Sequence, residues 1–144
     1  MKRTLMLIAA LFAFAATVSA QDRPYKEGPV TVVTAVKVKP GQDEKYLAYL
    51  DSTYKPLMEE EKKAGVILDY KVYSTTARTP NDPDLYLTVT YPNMASLDGL
   101  DERTEPLMKK VTGKTRAEAA SASVDRGAMR DIMGSELIRE LQLR

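Results

Sequence analysis

The side chains able to do chemistry in this 144-residue chain are tyrosines and carboxylates, because the sequence contains no His, no Cys and no Trp. No Ser-His-Asp or Cys-His pair can form, and no imidazole can act as a general base near neutral pH. Zinc or haem held through His or Cys is excluded on the same ground. The seven glycines are scattered and make no phosphate-cradling motif. Asp82 and Asp84 lie in the cluster Thr79-Pro80-Asn81-Asp82-Pro83-Asp84, which lacks the spacing and later Glu of a calcium loop and reads as a turn. Neither a metal nor a cofactor is therefore expected. Tyr54, Tyr70 and Tyr91 are expected on the core side of their elements, where each hydroxyl needs a partner. Two readings stay open for them. They are packing residues with satisfied tips, or they wall a pocket for a small apolar or aromatic molecule, with Lys71 and Arg78 at its rim. Glu59-Glu60-Glu61 followed by Lys62-Lys63 reads as a solvated helix face.

The elements that position these residues can be read from a repeat. Leu47 to Met58 and Leu97 to Met108 share the frame L-x-x-L-D-x-x-x-x-P-L-M, and a valine-rich run precedes each, so each copy reads as strand, turn, helix. Val30, Val32, Val36 and Val38 alternate with Thr31, Val33, Ala35 and Lys37, so this stretch is a strand that ends at Pro40-Gly41. Asp43 and Glu44 open a helix reaching about Ala64, with Leu47, Leu50, Tyr54, Leu57 and Met58 on one stripe and Gly65 as its stop. Pro56 should kink or restart that helix, and Pro106 stands at the same point of the second copy. If the helices do not merely bend there, the carbonyls freed at Ser52 and Glu102 would line a pocket. Ile67 to Thr75 and Leu85 to Tyr91 alternate as two more strands. In the first of these, Leu68, Tyr70 and Val72 are assigned to the core. Asn93 is placed to cap the second helix. Thr115 to Asp131 is alanine-rich and helical in pattern, weakened by Gly127. The last stretch, 135–143, alternates through Leu137, Arg139, Leu141 and Leu143 and is read as a strand, although Leu137, Ile138 and Leu141 would fit a helix as well.

The first 20 residues have the anatomy of a removable export signal: Lys2 and Arg3, an apolar run from Leu5 to Val18, and small residues at Val18-Ser19-Ala20. The mature chain is expected to begin at Gln21, in the periplasm or medium, with no membrane anchor after cleavage. Residues 21–28 read as a flexible lead-in and 29–144 as one domain. Loss of Lys2 and Arg3 leaves 19 basic against 20 acidic side chains. That balance gives no long-range attraction to nucleic acid. An exported chain without cysteine must be held by packing alone.

Strand, helix, strand, strand, helix, strand is a ferredoxin-like βαββαβ order, an α+β fold with a four-stranded antiparallel sheet, helices on one face and an extra C-terminal helical segment. The face away from the helices would carry Val33, Ile67, Tyr73, Tyr86 and Ile138 as one apolar patch, with Lys37, Lys71, Asp69 and Glu140 around it. A second copy could cover that patch. With this order in place, Val36-Lys37-Val38-Lys39-Pro40-Gly41-Gln42-Asp43-Glu44-Lys45-Tyr46 resembles the dimeric α/β-barrel superfamily, of which antibiotic-biosynthesis monooxygenases are members. The resemblance covers about residues 29 to 111 and the last strand. It implies a homodimer with sheets face to face and a small organic ligand between sheet and helices. Members that degrade haem use a His, an Asn and a Trp. Here His and Trp are missing and Asn81 and Asn93 lie at turns, so that role is not implied. Two functions follow: an exported homodimer that binds a small apolar or aromatic ligand without catalysis, or a cofactor-independent monooxygenase-like or isomerase enzyme.

Overall fold

The computed structural model describes residues 23–144. The expected export segment and its cleavage point before Gln21 lie outside the described residues. The chain runs β1 (Tyr25–Val38), α1 (Asp43–Tyr49), a π-helical turn (Leu50–Tyr54), α2 (Lys55–Lys63), β2 (Asp69–Ser74), β3 (Leu85–Tyr91), a 3-10 turn (Met94–Leu97), α3 (Leu100–Thr112), α4 (Arg116–Arg126) and β4 (Arg130–Leu143). The four strands form one antiparallel sheet in the order β2-β3-β1-β4. This is the expected βαββαβ arrangement, with α4 as the additional helix.

The boundaries differ where pairing overrides local composition. β1 begins at Tyr25, inside the expected lead-in, because Tyr25, Lys26 and Glu27 pair with Leu143, Gln142 and Leu141. Pro24 lies just before the ladder, and Gly28 falls where the register with β4 shifts between Glu27 and Val30. β4 likewise starts at Arg130 rather than Ser135, and it is a strand throughout. Helix α4 stops at Arg126, since Gly127 to Met129 turn the chain into β4 and the Lys39 amide donates to the Met129 carbonyl at 2.9 Å. At the start of α4, Thr115 and Glu118 form a reciprocal capping box.

The two copies of the repeat differ at their prolines and at their starts: Pro56 follows a π turn, whereas Pro106 lies inside α3 without a restart of the helix there. In the first, α1, the π turn and α2 form one continuous rod. The Lys55 amide donates to the Leu50 carbonyl five residues back, which widens the turn where Pro56 has no N–H to give. In the second, Asn93 accepts from the Ser96 amide and caps a short 3-10 turn, not the main helix. The chain then breaks at Gly99, whose φ of 60° is left-handed, before α3 begins.

All helices lie on one side of the sheet. Val30, Met58, Val66, Ile67 and Tyr91 make one buried cluster, and Val36, Val38, Tyr46, Leu50 and Leu85 make another. Tyr54 packs against both. Two sequence assignments in the second strand are exchanged: Ile67 is core at 2% exposure, and Leu68 is 47% exposed. The strand ladder starts only at Asp69, so Ile67 belongs to the connection from α2 and does not follow the alternation. Ile67 is therefore not part of the outer face. Val72, also expected inside, is exposed near the edge of the sheet.

Candidate functional site

Three tyrosines expected to converge do so. The rings of Tyr54 and Tyr70 meet edge to face with centroids 6.1 Å apart, and Tyr91 sits in the same cluster. Their hydroxyls have different fates. Tyr70 donates to the Glu59 carboxylate at 2.6 Å, and burial together with that carboxylate pushes its pKa up to about 12. The Tyr54 hydroxyl is buried without a hydrogen-bond partner among the described residues. Its pKa is raised far above the usual phenol range, first by burial and then by the nearby Glu61 charge.

Glu61 is the residue that sequence reasoning missed. The run from Glu59 to Lys63 is solvated only in part, since Glu61 is 6% exposed and close enough to Tyr54 and Tyr91 to act on both. Burial alone pushes its carboxyl up to about 7. No hydrogen bond or ion pair compensates the Glu61 side chain among the described residues. The signal for its position was present: Leu50, Tyr54, Leu57 and Met58 define a stripe, and Glu61 continues it, seven residues past Tyr54 and three past Met58. Glu59 and Glu60, by contrast, face Tyr70 and Lys110 near the surface.

Lys71 and Arg78 do not join this cluster. Lys71 projects from the opposite face of the sheet beside Asp69, at 3.6 Å, because neighbours in a strand alternate sides. Arg78 lies in the exposed β2–β3 loop, where its amide and that of Thr79 donate to the Asp82 carboxylate at 2.8 Å each. Asp84 accepts from Lys37 and from the Val38 amide at 2.9 Å each, and the Lys37 contact lowers its pKa. Both aspartates are thus engaged in holding the loop. Lys37, expected at a dimer interface, is instead committed to Asp84 within the chain.

A groove of about 540 Å³ opens on the helix side, between the π turn with α2, α3 and α4. Its apolar lining includes Leu57, Met108, Val111 and Ala122, and Ser52 also contributes. The carbonyl of Ser52 is the one that Pro56 leaves without its helical donor. Glu102, its counterpart in the second copy, is not among the lining residues. One end of the groove is aromatic and cationic. The Arg126 guanidinium lies 5.0 Å from the centre of the Tyr49 ring, Tyr49 stacks on Tyr46 at 5.9 Å, and Arg130 lies 5.9 Å from the Tyr46 ring. Burial raises the Tyr46 pKa, and Arg130 partly offsets it.

The outer sheet face is crossed by three rows. Tyr73, Tyr86, Ala35 and Gly134 form one; Lys71, Thr88, Val33 and Glu136 the next; Asp69, Thr90, Thr31 and Ile138 the third. Tyr73 and Ile138 are 49% and 50% exposed, and a hollow of about 320 Å³ lies among Val33, Tyr73, Thr88 and Ile138. Helix α4 packs on the other side, so no described segment covers this face.

The sequence matches no family model and no curated protein. Among solved structures it is similar to HapK from Hahella chejuensis, with a TM-score of 0.53 and 9% identity over 77% of this chain and 91% of that one. It is also similar to two dimeric ferredoxin-like proteins from uncultured marine organisms. Their TM-scores are 0.49 and 0.48 and their identities 14% and 8%, each over 83% of this chain, with 98% and 90% of their own lengths covered. The strand order and the likeness to HapK describe a ferredoxin-like α+β fold.

Proposed function

We propose that the protein binds a small, mostly aromatic molecule carrying an anionic group, and that it does so in the helix-side groove. The observation that carries this reading is the pairing of an apolar floor with the Tyr49–Arg126 wall in a space of about 540 Å³. Pockets for small organic ligands commonly have that size and that mixture of apolar walls with few polar groups. Lys114 and Arg126 supply two cations against one carboxylate, Asp125, so the lining favours an anion. The aromatic anion 1-anilinonaphthalene-8-sulfonate is a suitable probe. Replacing Ala122 with Trp should fill the groove and weaken probe binding at least tenfold, about 1.4 kcal/mol, and Arg126→Ala should weaken it several-fold. Equal affinity in the unmodified protein and in A122W would remove the groove from consideration.

Association of two copies through the outer sheet face belongs to the same reading. The exposed Tyr73 and Ile138, flanking Val33 and Tyr86, support it. The charges support it too. A twofold arrangement that lays β2 of one copy over β4 of the other brings Lys71 near Glu136. Export is proposed from the first 20 residues alone. Protein recovered from the periplasm or medium should begin at Gln21 on N-terminal sequencing, and a retained apolar segment in a membrane fraction would defeat that assignment.

A further inference from the structure

We propose that Glu61 and Tyr54 form a proton-transfer site for small, mostly apolar carbonyl compounds, entered from the groove past Leu57. Two polar side chains lie in the same part of the core, one an acceptor and one a donor: Glu61 is 6% exposed and the Tyr54 hydroxyl is fully buried, and neither has a hydrogen-bond partner among the described residues. Burying an unpaired carboxyl and an unpaired hydroxyl is costly. A purely structural core would use a Leu and a Phe at these places. The groups facing Glu61 are Tyr54 from the end of the π turn and Tyr91 from β3, with Arg103 of α3 beyond Tyr91 and with Tyr46 and Tyr70 beyond Tyr54. None of these neighbours forms a salt bridge to Glu61.

The geometry also offers a way in. Leu57 lines the groove and packs against the buried cluster of Met58, Ile67 and Tyr91. It stands one helical turn before Glu61 on α2, and the π turn ends three residues before it at Tyr54. Neither Tyr54 nor Glu61 lines the groove, so entry requires the Leu57 side chain to change rotamer. Interruptions of this kind in a helix recur at functional sites.

The chemistry balances without an oxidant or a cofactor. The Glu61 carboxylate takes a proton from the carbon next to the carbonyl. The C–H pair becomes the new C=C bond, and the C=O π pair moves onto oxygen. Tyr54 donates a hydrogen bond to that enolate oxygen. Neutral Glu61 then returns the proton to the same carbon, giving exchange, or to a conjugated carbon, giving isomerisation. A carboxyl poised near 7 suits both halves of the step at neutral pH.

Two measurements test this. Ethyl diazoacetate esterifies a protonated carboxyl with loss of nitrogen, so at pH 6 it should label Glu61 at least tenfold above any other carboxyl in peptide mass mapping. In D2O, the protein should catalyse α-proton exchange of 2-tetralone with a rate that rises through pH 7. E61Q should lower that rate about 100-fold or more, and Y54F about tenfold. Glu61 left unlabelled, or equal exchange by E61Q, overturns the proposal. The route of entry rests on the groove reading, and the two can fail separately. Probe binding that A122W abolishes, with Glu61 unlabelled, sinks the proton-transfer site alone. Labelled Glu61 with no probe binding in the groove sinks the ligand reading alone.

Discussion

Glu61→Gln is expected to leave stability unchanged at pH 4 and below and to raise it by on the order of 2 kcal/mol at pH 8 and above. The sign follows from burial. The carboxyl of Glu61 is lifted from an ordinary 4.5 to about 7 in the folded chain. Between those values the folded state holds a proton that the unfolded state has lost. The group's contribution is therefore fully present below 4.5 and is lost as pH rises through about 7. Some solvent relaxation around the charge makes the penalty smaller than the whole shift implies. The depressed carboxyls, Asp84 and Asp69 among them, act in the opposite direction and at lower pH, because Lys37 and Lys62 hold them ionised. The two effects are therefore separable in urea titrations from pH 4 to 9. Parallel stability curves for E61Q and the unmodified protein would show that Glu61 carries no buried charge.

Ile138→Asp and Ile67→Asp are expected to fail in different ways. Ile67 is 2% exposed between Met58 and Tyr91, so a carboxylate there loses the apolar contact and buries a charge. The cost should be at least about 4 kcal/mol, enough to unfold much of the population whatever the oligomeric state. Ile138 is half exposed on the outer face, and the same change should cost the folded monomer no more than about 0.5 kcal/mol. It should nevertheless weaken a face-to-face dimer about 100-fold or more, because a buried unpaired charge at an interface costs about 2–5 kcal/mol. Val124→Asp, 78% exposed on α4, serves as the neutral control. Analytical ultracentrifugation with circular dichroism separates the cases. A folded I138D protein of unchanged dimeric mass, or an unmodified protein that is monomeric at micromolar concentration, would remove the outer face as the interface.

What the sequence determined by itself was the set of elements and the chemistry ruled out. Alternation in Val30 to Val38 and in Leu85 to Tyr91, and the stripe from Leu47 to Met58, are local consequences of burying one face of a strand or a helix. The inward direction of Tyr54, Tyr70 and Tyr91 followed from the same periods. The absence of His, Cys and Trp needs no fold to interpret. Tertiary structure alone decided the rest. Ile67 entered the core because the connection from α2 does not obey the strand's period. Residues 25 to 29 became strand because β4 was long enough to pair with them. Lys71 left the site because the sheet stood between it and the tyrosines. Glu61 continued the apolar stripe but sat within a run of charges whose solvation is the ordinary expectation, and the packing of α2 over the sheet decided between the two. The groove needed three helices, and the Tyr49–Arg126 contact joins residues 77 positions apart. Periodicity describes a residue's own element. It cannot say which element comes to cover it.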